Sequence, residues 1–154
     1  MEKFLRATVA SLALFIGVAF AGCAASPYST FKKNTGIAVP ECGAVSTTDT
    51  TGWFGDGELI YTFCLDEDGG RTFENKVTTA KHWQSLPMTE TLDRVVYEHF
   101  GGKIPRIENG YYFFYDEQHK THADNEVENS NSYDFVIGMY DSENRTVYYY
   151  EQHT

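Results

Sequence analysis

Reactive side chains are few and scattered in this 154-residue chain. His119, His122 and Asp124 stand within six positions of one another, and two imidazoles with a carboxylate can ligate a metal from one loop. Their spacing matches no zinc pattern and no fourth ligand is indicated, so the stretch reads as a solvated polar loop. Asp66, Asp68 and Gly69 begin like a calcium loop, but Gly70 stands where a ligand is required and Val77 where the closing Glu is required. Gly52-Trp53-Phe54-Gly55-Asp56-Gly57 is glycine-rich, yet a strand follows it, whereas phosphate-cradling loops lead into a helix N-terminus. Serine and cysteine nucleophile signatures and the His-Glu-x-x-His zinc motif are missing. Pairs such as Asp116 with Glu117, or Asp134 with Asp141, are too ordinary in an acidic chain to nominate as acid and base. No metal and no cofactor is expected, and the reading leans away from an enzyme.

The elements that must position these residues follow from periodicity. Leu59, Tyr61, Phe63 and Leu65 alternate with Glu58, Ile60, Thr62 and Cys64, which is a strand, and 66–70 then breaks it as a turn. Phe73, Val77 and Ala80 recur at helical spacing. Thr89 is placed to cap a clearer helix with Leu92, Val95, Val96 and Phe100 on one face and Gly101-Gly102 at its end. Segments 110–118, 133–140 and 146–152 are rich in aromatic and β-branched residues and predict three strands, the last two joined by a hairpin at 141–145. The expectation is an α+β domain over 52–154. It has a small antiparallel sheet of about four strands, ending in a three-stranded meander, with one or two helices on one face. Residues 23–51, rich in Ser, Thr, Gly, Ala and Pro, read as a flexible tether.

Ahead of that tether, Lys3 and Arg6 precede an apolar stretch over 7–21 broken only by Thr8 and Ser11, the layout of a secretory signal peptide over 1–22. Phe20-Ala21-Gly22-Cys23 resembles the lipobox of bacterial lipoproteins, with Phe20 where an aliphatic residue is usual. The resemblance implies lipid attachment at Cys23, an extracytoplasmic location on the cell membrane, and the membrane itself as a partner. In a two-membrane host, Ala24 after that cysteine would suit outer-membrane sorting. An uncleaved anchor, drawn from the uncharged run over 7–25, and ordinary secretion are the alternatives. Outside the cytoplasm Cys42 and Cys64 can pair, which would close a loop of about 20 residues and add roughly 3 kcal/mol. Two unbridged thiols are the other reading.

Composition limits the function classes. Hydrophobic residues make up 42 % of the chain and charged residues 22 %, as in a globular protein. The leader holds Lys3, Arg6 and Glu2 of the chain's 12 basic and 22 acidic side chains, so the remainder carries a formal charge of −11. Such a surface repels phosphate backbones, and nucleic acid is excluded as a partner. Eleven tyrosines and phenylalanines crowd 111–150, and alternation divides them between two sheet faces. An outward array suits recognition of a protein or a glycan. The candidate contact surface is therefore Trp53, Phe54, Tyr112, Tyr148 and Tyr150.

One further pattern spans 52–152. Gly55-Asp56-Gly57 before a strand, Trp83-Gln84-Ser85-Leu86-Pro87 before a helix, Asn109-Gly110-Tyr111-Tyr112-Phe113-Phe114, and Tyr140-Asp141 with Tyr148-Tyr149 resemble a group of short uncharacterised bacterial proteins. That resemblance implies a single domain and carries no activity. The functional expectation is a lipid-anchored binding module of the cell envelope. Its rivals are a hydrolase of wall polymers, working through carboxylates or the 119–124 loop, and an inhibitory or structural lipoprotein.

Overall fold

A computed structural model describes residues 25–41, 44–52, 56–99, 103–124, 127 and 133–154. In chain order its elements are α1 (Pro27–Thr35), β1 (Ala44–Asp49), β2 (Gly57–Cys64), α2 (Glu67–Val77), β3 (Trp83–Ser85) and α3 (Glu90–Arg94). A π-helical turn, Val95–His99, continues α3, and β4 (Gly110–Asp116), β5 (Phe135–Asp141) and β6 (Thr146–His153) complete the chain. The strands form one antiparallel sheet in the order β1-β2-β6-β5-β4-β3. An α+β architecture is thus observed, with six strands in place of about four. None of the described helices is long and apolar enough to cross a membrane.

Both faces of the sheet are covered, which corrects the expected single helical layer. Tyr61, Phe63, Phe113, Val136, Tyr140, Val147 and Tyr149 pack beneath α1 and α2 against Phe31, Phe73 and Val77. Tyr112, Phe114, Phe135, Ile137, Met139 and Tyr150 pack on the opposite face against Leu92, Val95, Val96, Ile104 and Ile107. Every residue of β5 is buried as a result. The unbroken aromatic run Tyr111 to Tyr115 suits a strand covered on both sides.

The start of the domain also moves. The segment expected to be a tether is built into the fold from Pro27, with the Phe31 ring fully buried. Ser26 caps α1 by accepting from Ser29 N–H at 3.2 Å, Pro27 supplies the fixed first turn, and Gly36 ends the helix in the left-handed conformation. Strand β1 then pairs with β2 as an exposed edge. The 66–70 segment is likewise a helix start and not a turn, because the Asp66 carboxylate accepts from Gly69 N–H at 2.7 Å. Gly70 suits the inside of α2, since a Cβ there would come within 2.9 Å of the Arg145 side chain, while Tyr140 donates to its carbonyl. Thr89 caps α3 as its spacing predicts, accepting from Leu92 N–H.

Candidate functional site

Four segments meet at the C-terminal end of α1 to form a cleft of about 380 Å³. Lys33 and Asn34 come from α1, Lys81 and His82 from the loop into β3, Phe113 from β4 and His122 from the loop after it. Trp83 holds them together. Its indole donates to the Thr35 carbonyl at 3.4 Å while its ring packs against Phe31 and Phe73. Gly138 in the middle of β5 permits this closeness, because a Cβ there would press on the Trp83 ring at 3.2 Å and on Thr35 at 3.4 Å.

Two imidazoles line the cleft in a stack. His82 lies on His122 with centroids 3.6 Å apart and planes inclined by 12°. The backbone of His82 is left-handed, φ 69°, a conformation uncommon outside glycine and costly enough to require support from its surroundings. The Phe114 carbonyl lies 2.7 Å from His122 Nδ1, so that nitrogen carries the proton. His82 titrates below its ordinary value, first because its neighbours strip water from it and then because His122 and Lys81 add positive charge.

Beside the cleft a polar chain links α1 to the end of β6. Asn34 donates to the Tyr149 hydroxyl, which donates to Glu151. His153 stands between two carboxylates, with Nε2 2.8 Å from Glu151 and Nδ1 3.5 Å from Glu117. Burial and the Glu151 hydrogen bond hold the Tyr149 phenol protonated far above its ordinary range. Burial also raises the Glu117 carboxyl, helped by Glu151 and Asp134 and opposed by His153 and Lys33. A carboxyl raised in this way holds its proton more tightly folded than unfolded, so the fold loses stability as pH rises through the raised value. Glu117→Gln is therefore expected to stabilise the domain at neutral pH. Urea midpoints measured from acid to neutral pH check this, and a variant whose midpoint falls as steeply as the parent's contradicts it.

The expected site residues distribute differently. Cys23, Cys42, Trp53 and Phe54 lie outside the described residues, while Cys64 ends β2 exposed and opposite Ala44. Tyr112 and Tyr150 are core residues, 4 % and 2 % exposed, because the layer containing α3 covers the face that was expected to be open. Their hydroxyls are satisfied internally by Gln84 and by Gln152 with Glu58. Tyr148 is half-buried against the same cluster. His119 is bound to Asp116, and Asp124 accepts from Thr89, so only His122 of that loop reaches the cleft. Among the described residues no group of three metal-ligating side chains converges. Lys33, Lys81 and His82 carry no local signal of their role, since only the tertiary fold joins positions 33, 82 and 122. Comparison of the chain with protein-family models, with curated proteins and with solved structures finds no match.

Proposed function

We propose that the chain is a lipid-anchored binding module on the extracytoplasmic face of the cell envelope, with the cleft between α1 and the His82–His122 stack as its contact site. The carrying observation is that cleft: side chains from four segments, 33–37, 80–82, 113 and 122, face one opening, and a non-glycine backbone is held left-handed to build it. Lipid on Cys23 would leave Ala24, Ala25 and Ser26 between the anchor and α1, a reach of at most about 14 Å. The domain would then work against the membrane surface and not at the end of a long tether. An envelope hydrolase is the rival reading, and Glu117 beside His153 is the pair it would draw on.

The test is amine crosslinking with mass spectrometry on cells making the full chain, alongside palmitate labelling and a Cys23→Ala control. The expected result is labelled, membrane-bound protein whose crosslinks to an envelope component pass through Lys33 and Lys81, with label and crosslinks both lost in Cys23→Ala. Retention of label and membrane association in Cys23→Ala refutes the anchor. Crosslinks that avoid both lysines refute the contact site.

A further inference from the structure

The chemistry of the cleft narrows what it takes. We infer that it binds a small anionic ligand, one that joins a carboxylate or phosphate group to an apolar body. This rests on the binding-module reading and adds the ligand class. Outside the leader the chain carries 21 acidic against 10 basic side chains, yet the cleft is lined by Lys33, Lys81, His82 and His122 and by no carboxylate. The lysines are exposed, and neither makes an ion pair among the described residues. Of the other described lysines Lys103 is paired with Glu58 and Lys76 donates to the Ala38 carbonyl, while Lys32 and Lys120 make no ion pair either but do not line the cleft. A cationic opening with no carboxylate in its lining is where an external anion is best held on an acidic protein.

Long-range repulsion does not defeat this. At physiological salt, charges more than about 8 Å apart are largely screened, so carboxylates on distant faces weigh little against lysines at contact distance. Glu117 interacts with Lys33 but lies outside the cleft lining and faces His153 at 3.5 Å. The stacked His82 and His122 rings form one wall of the opening beside the lysines, with His122 held in place by its Nδ1 hydrogen bond to the Phe114 carbonyl. Phe113, Ile37 and Ala80 supply the apolar part of the lining for the rest of the ligand. The volume of about 380 Å³ limits that ligand to a small molecule or the end of a longer one.

The experiment uses the full chain in non-ionic detergent, labelled with ¹⁵N at histidine, and titrated with phenyl phosphate, phenylacetate and neutral phenylacetamide. Saturable shifts of the His82 and His122 ring signals are expected with an anionic probe and not with phenylacetamide. The tighter anion then distinguishes phosphate from carboxylate chemistry. Lys33→Ala with Lys81→Ala should weaken binding about tenfold, as loss of charged hydrogen bonds does, while Lys103→Ala leaves it unchanged. Shifts absent with every probe, equal response to phenylacetamide, or undiminished binding by the double variant each overturn the inference. The anchoring and crosslinking results are read in cells without added probe, so they stand or fall separately.

Discussion

Gly110→Ala is expected to destabilise the domain by about 3 kcal/mol or more, because backbone strain and a direct clash act together. Gly110 opens β4 at φ +152°, and a Cβ placed on it would lie 1.8 Å from the Tyr140 carbonyl oxygen. Both neighbours in that contact are main chain, so no side chain can swing aside. Nor can the segment slide, since Leu86 N–H donates to the Gly110 carbonyl at 3.0 Å and Ser142 N–H to the Asn109 carbonyl at 3.1 Å. Gly36 is the internal comparison. It is also left-handed, at φ +80°, but no atom lies within 4 Å of a Cβ there, so Gly36→Ala should cost only about 1 kcal/mol. Urea denaturation of the two variants decides the matter. A midpoint shift for Gly110→Ala no larger than that for Gly36→Ala would show that the β4–β5 corner yields.

Parts of this fold are legible in the residues, and the exceptions share one cause. Alternation at Leu59, Tyr61 and Phe63 marks β2, Thr89 marks the start of α3, and 141–145 marks the last hairpin, because each is a local pattern with local consequences. The two-sided burial of β4 is also written in Tyr111 to Tyr115, but a run of aromatics fits one packed face with an open surface just as well until the covering layers are known. Strand β1 offers no pattern, since all six of its residues are exposed and hydrophobic alternation never arises. The cleft is the least legible feature. Lys33, His82 and His122 are made neighbours by the Trp83 to Thr35 contact and by the missing side chain at Gly138, neither of which a window of sequence can anticipate.

Helix α1 shows how costly such a misreading is, and Phe31→Ala measures it. Read by composition, Pro27–Thr35 is a polar stretch with two lysines, and changing one residue in a tether moves stability by no more than about 0.5 kcal/mol. Read in the fold, Phe31 is fully buried with ring centroids 5.7 Å from Phe63, 5.8 Å from Tyr149, 6.0 Å from Phe73 and 6.3 Å from Trp83. Truncating it leaves a cavity bounded by four aromatic rings that cannot collapse inward without breaking their own contacts, so the expected loss is about 3–5 kcal/mol. The capping residues that mark this helix are Ser26 before it, Pro27 in its first turn and Gly36 after it, while its burial rests chiefly on one side chain. The two readings differ roughly tenfold in energy, and thermal or urea denaturation separates them at once. Phe31→Leu, which keeps most of the volume, should lose much less and retain the cleft. A Phe31→Ala chain as stable as its parent would return residues 27–35 to the tether and detach Lys33 from the site.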